Sequence, residues 1–335
     1  MRETGSDWRI PLGAGAALLA ALGVALRLGA EWDARLVVRP VDGQLLAGDA
    51  SDDGGGTDGT FQRLRRADGE RSAEYGFTNF NQDHMVISYR IADSAFERYN
   101  DSFGYRPADI SALERRRDAE IQSSYKKLVA AHGTQAQVNA AAAAAESEYS
   151  AALNAYLESR GFVLEKGGVT RVDMPEVVRT NGPLLKPLAE TFDRIATSRG
   201  YRSMDIIGAV LSFVQTALKY REPPDVVGGK HTGGILPPIT TVVSGWGDCD
   251  TKTALAASLL SNWAQMRMVG VSVPGHYLMA VLQIPDQGDL YVEYQGLQYV
   301  LLEPAGPAWL PPGQVADTTS ALLNGSDGYR IYPFF

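Results

Sequence analysis

The stretch GWGDCDTK at residues 245–252 decides the expected fold, because it contains the only cysteine of the 335-residue chain and leads directly into a helix pattern. The following segment, TALAASLL at residues 253–260, has the small and apolar side chains of a buried helix. Cys249 is therefore expected at or just before the first turn of that helix. Unpaired N–H groups and the positive end of the helix dipole favour a thiolate there, so a lowered thiol pKa is predicted. A buried, unreactive cysteine is the alternative, but two aspartates and a lysine near the sulfur indicate a polar turn.

Two later residues complete a candidate catalytic set. His276 follows Pro274-Gly275 and opens the strand-like segment YLMAVL, whereas Glu303 ends the strand-like segment YVLL and precedes a proline. Antiparallel neighbours bring the start of one strand beside the end of the next, so the imidazole and the carboxylate are expected to meet at one sheet edge. A nucleophilic thiol requires a base that takes its proton and an acceptor that fixes the imidazole tautomer. The three residues therefore predict a Cys249-His276-Glu303 triad, although His276 or Glu303 alone would be an ordinary surface residue.

Four segments around these residues resemble the transglutaminase-like, papain-related superfamily, and within it the bacterial transglutaminase-like cysteine peptidases. The segments are FVQTALKY at 213–220, PPITT at 237–241 leading to GDCD at 247–250, PGHY at 274–277, and LEPAGPAW at 302–309. The resemblance covers residues 184–315. It implies that Cys249 is the nucleophile, His276 the base and Glu303 the orienting acid, a place where many relatives carry Asp.

The resemblance also bears on the acids beside the cysteine. In some bacterial relatives the flanking carboxylates help to bind calcium, which makes Asp248 and Asp250 candidate ligands; otherwise these residues cap the helix. Relatives often carry an acidic residue where this chain has Thr251 or Thr240. Thiol chemistry itself requires no cofactor, and one cysteine with four histidines argues against a Cys/His zinc site.

Two further residues are candidates for the cleft. Gln215 lies opposite the apolar stripe of the helix predicted over residues 204–220, and its amide could donate to an oxyanion. Backbone N–H groups at the Cys249 turn are the alternative donors. Trp246, beside the nucleophile, either walls the cleft or packs beneath the helix.

Composition restricts the class of function. A hydrophobic content of 45% and a charged content of 21% are ordinary for a folded chain with a sizeable core. The net charge is −8 and no basic strip is interleaved with aromatic residues, so no nucleic-acid partner is expected. A single cysteine excludes an internal disulfide and fits either a reducing compartment or an exported protein with one working thiol.

The N-terminal segment predicts attachment to a membrane. Residues 10–26 are apolar without a charge, and the run extends to residue 30 if the Arg27 side chain reaches the interface. A single-pass anchor within residues 1–30 is the prediction; a cleaved signal peptide and a buried core helix are the alternatives. Arginines flank the run on both sides and give little orientation. The short tail before one apolar run is the usual layout of a protein whose body lies outside the cytoplasm.

Residues 31–107 are predicted to form a small β-containing region with a strand at 84–91 and a flexible acidic loop at 47–60. The loop lacks the ligand spacing of an EF-hand, so a solvated linker is favoured over a calcium loop. Residues 108–161 predict an antiparallel helical hairpin that turns at His132-Gly133-Thr134. The hairpin is interpreted either as an arm that binds a protein partner or as a packing element.

Residues 162–335 are predicted to be the catalytic domain. Helical segments at 184–198 and 204–220 precede the cysteine, and a Gly- and Pro-rich loop at 221–247, with Lys230-His231 at its centre, is expected to form the rim of the cleft. Four short strands follow the cysteine, at 268–273, 277–284, 290–294 and 299–302. This order predicts an α+β papain/transglutaminase-like core, in which the nucleophile helix packs on an antiparallel sheet.

The sequence therefore predicts a membrane-anchored thiol acyl-transfer enzyme that acts on a protein or peptide. The Cys249 thiolate attacks an acyl carbonyl, and the His276 imidazolium protonates the leaving amine. Water as the second nucleophile gives a cysteine protease, which is the prediction, or a deamidase; a lysine amine gives a transglutaminase acting on glutamine. The alternative from another class is an inert membrane-anchored scaffold that binds a partner through its helical hairpin.

Overall fold

The computed structural model describes residues 59–335. The membrane segment predicted at residues 1–30 and nearly all of the acidic loop at 47–60 lie outside the described residues. None of the helices between residues 59 and 335 combines the length and apolar composition that a membrane crossing requires. The described part of the chain is a mixed α+β fold with nine α-helices and several antiparallel sheets, one of which is curled into a half-barrel.

A three-stranded antiparallel sheet opens the described region. Its strands, in spatial order, are β1 (Phe61–Ala67), β2 (Glu70–Thr78) and β3 (His84–Ala92). The third strand confirms the prediction at residues 84–91. The first strand was not predicted, because it is mostly exposed and its sequence, FQRLRRA, lacks the apolar alternation by which a half-buried strand is recognised.

The predicted helical hairpin is confirmed. Helix α1 (Asp93–Ser102) precedes it, and its two arms are α2 (Pro107–Ala130) and α3 (Gln135–Ser159). Thr134 caps α3, since its hydroxyl accepts a hydrogen bond from the Gln137 N–H at 3.3 Å. The Asp109 carboxylate, in the first turn of α2, accepts a hydrogen bond from the Tyr156 hydroxyl at 2.7 Å and so ties the two arms together near their base.

Short elements then lead to the cysteine. They are β4 (Phe162–Leu164), β5 (Thr170–Val172), α4 (Met174–Asn181), α5 (Lys186–Arg199), α6 (Ser203–Ser212), a π-helical turn (Phe213–Ala217), β6 (Lys219–Tyr220), β7 (Val226–Val227), β8 (Lys230–His231), α7 (Pro238–Ser244), β9 (Trp246–Gly247) and α8 (Cys249–Leu260). Treating residues 221–247 as one long loop was therefore wrong. Helix α7 begins at Pro238, and proline is compatible with a first helical turn because the N–H it lacks has no partner there.

A five-stranded antiparallel sheet follows the cysteine helix. Its strands are β10 (Met268–Val273), β11 (His276–Leu282), β12 (Tyr291–Tyr294), β13 (Leu297–Leu302) and β14 (Arg330–Pro333), in the spatial order β12-β13-β11-β10-β14. The first four confirm the predicted strands. The C-terminal tail packs back on the body, since it supplies β14 beside β10 and a further helix, α9 (Asp317–Leu323).

The sheet separates two apolar clusters. One face contributes Tyr277 and Met279 to the main cluster, which also holds Leu255 of α8 and Tyr75 of β2. The other face is covered by the C-terminal tail, including Leu322 of α9. Residues before the hairpin and after it thus share one core, and this core buries every residue of α8 except Asp250.

Candidate active site

Cys249 is the first residue of α8, as the sequence predicts. Asp248 precedes it as the N-cap, with its Oδ1 accepting a hydrogen bond from the Thr251 N–H at 3.0 Å. The Cys249 side chain is buried, with 9% of the residue exposed. Its thiol donates to Asp250 Oδ1 at 3.4 Å. The two acids therefore cap the helix and engage the sulfur.

His276 and Glu303 meet at one edge of the sheet. His276 pairs with Val273 across a tight turn in which Gly275 has a φ of +70°, a conformation that glycine adopts without strain. Strand β13 runs antiparallel to β11 and ends beside the start of β11, which places Glu303 next to the imidazole. His276 Nε2 lies 2.8 Å from Glu303 Oε1. The carboxylate therefore holds the proton on Nε2 and leaves Nδ1 as the basic nitrogen.

A cavity of about 420 Å³ brings the thiol and the imidazole together, because both Cys249 and His276 line it. Glu303 lies behind the imidazole and is only 2% exposed. The Cys249 thiol donates its hydrogen bond to Asp250. Within residues 59–335 no hydrogen bond joins the thiol to His276. The cavity thus brings a thiol and an imidazole to the same wall and has the volume of a few amino-acid side chains.

Burial disfavours the charged form of both reactive groups, so by itself it lowers the pKa of the His276 imidazole and raises the pKa of the Cys249 thiol. It disfavours the His276 imidazolium, but the hydrogen bond and charge of Glu303, with the charges of Asp250 and Asp248, outweigh it, so the pKa of His276 is raised. Burial and the charge of Asp250 raise the pKa of the Cys249 thiol to about 12. The lowered thiol pKa expected from the helix dipole is therefore wrong for the free protein.

The turn around the cysteine is more buried than expected. Lys252, which indicated a polar turn, is fully buried and its Nζ donates to the Leu218 carbonyl at 2.8 Å. Burial lowers the pKa of Lys252 to about 8, against the opposing charge of Asp248. The lysine therefore fastens α8 to the segment that leaves the π-helical turn.

Gln215 does not reach the cavity. Its Nε2 donates to the Glu303 carbonyl at 2.8 Å and to the Leu310 carbonyl at 3.0 Å, and its Oε1 accepts from the Leu310 N–H at 3.0 Å. All the polar atoms of the amide are thus bonded to backbone. The expected oxyanion role is wrong for Gln215, which instead holds the chain beyond β13 and so positions Glu303.

The other residues predicted to line the cleft, Trp246, Lys230 and His231, do not line the cavity. Trp246 does not line the cavity, and the Arg221 guanidinium lies 4.5 Å from its ring centroid. Lys230 and His231 are also absent from the rim: Lys230 Nζ donates to the Asn100 carbonyl at 2.6 Å, and His231 stacks on Tyr105. The rim residues from this part of the chain are Tyr220, Glu222, Pro223, Asp225, Gly233 and Gly234.

The acids near the sulfur do not assemble a metal centre. Across residues 59–335, no group of three or more His, Cys, Asp or Glu side chains is arranged to hold a metal ion. Asp248 and Asp250, the calcium candidates, are occupied by the helix cap and by the thiol.

Sequence reasoning missed one residue of the site. Thr319 of α9 donates its hydroxyl to Glu303 Oε2 at 2.7 Å and is buried. Both carboxylate oxygens of Glu303 are thereby engaged, one by the imidazole and one by the hydroxyl. No local pattern marks Thr319, because its role arises only when the tail folds back on the sheet.

Comparison with known proteins gives no relative: no family model, no curated protein and no solved structure matches the chain. The chemistry of the site must therefore be inferred from its own geometry. That geometry consists of a cysteine at a helix start, an imidazole on the same cavity wall, and a buried carboxylate that orients the imidazole.

Proposed function

We propose that this protein is a thiol acyl-transfer enzyme that uses Cys249, His276 and Glu303 and acts as a cysteine peptidase on a protein or peptide. The observation that carries the proposal is the 2.8 Å contact between His276 Nε2 and buried Glu303, at the wall of the cavity that holds the only cysteine. An orienting carboxylate of this kind is what a general base next to a thiol requires.

The proposed reaction begins when the Cys249 thiol, which donates a hydrogen bond to Asp250, rotates to donate it to His276 instead. His276 Nδ1 takes the thiol proton, and the sulfur attacks the acyl carbonyl, forming a C–S bond and an oxyanion. The N–H groups of Cys249 and Asp250 open the helix without carbonyl partners inside it, so they are suitable donors to that oxyanion. The imidazolium then protonates the leaving amine as the C–N bond breaks. Water, deprotonated by Nδ1, hydrolyses the thioester and restores the thiol.

The proposal includes the fold family and the location. The packing of α8 on an antiparallel sheet that carries His276 and Glu303 supports a papain/transglutaminase-like core with the α2–α3 hairpin as an insertion. The uncharged run at residues 10–26 supports a membrane anchor. The proposed side of the body, outside the cytoplasm, is not set by this run, because arginines flank it at both ends.

A specific observation favours a second candidate, the inert scaffold. The Cys249 thiol is hydrogen-bonded to Asp250, and the thiol pKa of about 12 leaves little thiolate at neutral pH. Helix α2 has no buried residue, so the hairpin offers a long accessible surface to a partner. On this view the catalytic set is retained without activity.

Alkylation of the only cysteine separates the two candidates. Iodoacetamide modification followed by intact-mass spectrometry reports on Cys249 alone. For an enzyme we expect His276→Ala to slow modification at pH 7 by about a hundredfold, a typical contribution of a general base. His84→Ala, which changes an exposed histidine outside the cavity, is the matched control and should leave the rate unchanged. Equal rates in all three proteins would support the scaffold. Comparing the proteomes of cells that carry Cys249 or Cys249→Ser would then identify a cleaved substrate.

A further inference from the structure

The wall of the proposed catalytic cavity carries four carboxylate side chains, and its one basic side chain is the imidazole of His276. Its four carboxylate side chains are Glu222, Asp225, Asp248 and Asp250. No lysine or arginine lines it, and the buried Lys252 directs its Nζ to the Leu218 carbonyl. Within residues 59–335 none of the four forms a salt bridge; the neighbouring pairs, such as Arg171–Glu165 and Lys230–Asp101, lie outside the lining.

Neighbouring groups respond to this charge. Burial raises the pKa of Asp248, and the charge of Glu222 adds to the effect. Burial and then the charge of Asp248 raise the pKa of Asp250. The phenol of Tyr220 at the rim has its pKa raised by burial, then by the charge of the Cys249 sulfur, and then by Asp248, Glu222 and Asp250. A bound cation would therefore be stabilised by several groups at once.

The four acids have different roles. Asp248 caps α8 and Asp250 accepts from the thiol, so both are engaged at the floor of the cavity. Glu222 and Asp225 lie in the segment between β6 and β7 and line the rim. The two rim carboxylates are thus the ones available to a ligand.

The cleft continues past Asp250 into a second cavity of about 260 Å³. The two cavities share Gly233, Asp250, Ser272 and Tyr277, and the second also contains apolar lining from Val172, Met174 and Tyr332. Its one cation, Arg171, is paired with Glu165 at 2.7 Å. An extended substrate therefore meets an acidic surface on one side of the sulfur and a less charged one on the other.

We propose that the cavity selects an acyl substrate with a basic side chain, lysine or arginine, beside the reactive carbonyl, and that Glu222 and Asp225 hold that side chain. The inference rests on the proposed function for the identity of the reacting group. It names the substrate class of the same site.

The cation belongs to the acyl substrate and not to an amine acceptor. An ammonium group between carboxylates retains its proton, so its nitrogen has no lone pair with which to attack a thioester. The acidic rim thus favours water as the second nucleophile and supports hydrolysis over transamidation. A cation held at the rim of the same cavity also offsets part of the negative charge that Asp250 and Asp248 place beside the sulfur, so the correct substrate favours ionisation of Cys249.

Charged thiol reagents test the inference without a known substrate. A cationic trimethylammonium-ethyl methanethiosulfonate and an anionic sulfonatoethyl methanethiosulfonate each form a mixed disulfide with Cys249 and release methanesulfinate. The quantity measured is the rate of the cationic reagent divided by that of the anionic reagent, and this ratio is normalised to the same ratio for a free model thiol. We expect the normalised ratio to be about ten or more at low salt and to fall as salt is added. The double variant Glu222→Gln/Asp225→Asn should lower this ratio at least about threefold. Glu190→Gln, an exposed carboxylate outside the cavity, should leave it unchanged.

A ratio equal to that of the model thiol, or one unaffected by the double variant, would overturn the inference. Failure of the inference can be distinguished from failure of the proposed function. If the proposed function fails, the rate of iodoacetamide modification of Cys249 does not depend on His276. If both hold, fluorogenic peptides with lysine or arginine beside the reactive carbonyl should be cleaved at least about tenfold faster than matched glutamine peptides. Equal cleavage of the two peptide sets would also contradict the inference.

Discussion

The reactivity of the sulfur depends first on its burial and then on the charge of its neighbour Asp250. Because the pKa of the Cys249 thiol is raised to about 12, its thiolate fraction at neutral pH is small and grows about tenfold with each pH unit. We expect the alkylation rate of the free protein to keep rising above pH 9. Asp250→Asn removes the charge and should shift the profile to lower pH. A rate that is already constant above pH 6 in the unmodified protein would show instead that a thiolate–imidazolium pair exists without substrate.

Thr319 is a positioning residue for Glu303, and its contribution can be isolated by two substitutions. Thr319→Val preserves the shape but leaves buried Oε2 without a donor, at a cost of about 1–3 kcal/mol in the free energy of unfolding. Thr319→Ser keeps the hydroxyl and should be close to the unmodified protein. Urea denaturation measures the cost. The alkylation rate of Cys249 should fall in the valine variant and recover in the serine variant, which a role in packing alone would not produce.

At the scale of the secondary-structure elements, the attachment of α8 can be followed by pH. Its Lys252 has a pKa near 8 in the folded protein and 10.5 as an ordinary lysine. Between these values the unfolded chain binds more protons, so this residue's contribution to stability increases as pH rises from 8 to 10.5. We expect the unmodified protein to gain stability relative to Lys252→Met over this window, measured by urea denaturation at each pH. A constant difference would show that Lys252 does not titrate as the burial implies.

At the scale of the whole molecule, shortening the α2–α3 hairpin tests whether its distal part contributes to the candidate site. Removing residues 120–130 and 135–145 takes about three turns from each arm and keeps the natural turn between them. Leu153 and Leu157, which attach the hairpin to the core, are retained. We expect the alkylation rate of Cys249 to be unchanged, because no hairpin residue lines the cavity. A large change in that rate would show that the distal arm supports the site.

The hairpin variant also bears on the scaffold. If the protein acts by binding a partner through the hairpin, the shortened chain should no longer perform the protein's function in cells, whereas the Cys249→Ser variant should still perform it. The reverse pattern is expected for an enzyme. The two variants together therefore distinguish the functions at the level of the intact protein.

Local patterns were sufficient for much of the fold and for the positions of Cys249, His276 and Glu303 on their elements. The apolar periodicity around residues 204–217, the hairpin helices and the four strands after the cysteine follow from short-range preferences that the tertiary structure did not override. His276 at a strand start and Glu303 past a strand end follow from strand order alone. Elements with weak local signals, such as the exposed strand β1 and the proline-initiated helix α7, were not recoverable in this way.

What the sequence determined by itself is the placement of Cys249 at a helix start and of an imidazole and a carboxylate on adjoining strands, because helix and strand boundaries are encoded by neighbouring residues. Only the tertiary structure decided the state of those groups. The thiol pKa reversed its expected direction because burial and Asp250 act through space. Gln215 turned from the cavity to the backbone, and Thr319 reached Glu303, because the C-terminal tail folds across the sheet. Desolvation and long-range hydrogen bonds depend on which distant segments come together, and no short stretch of sequence contains that information.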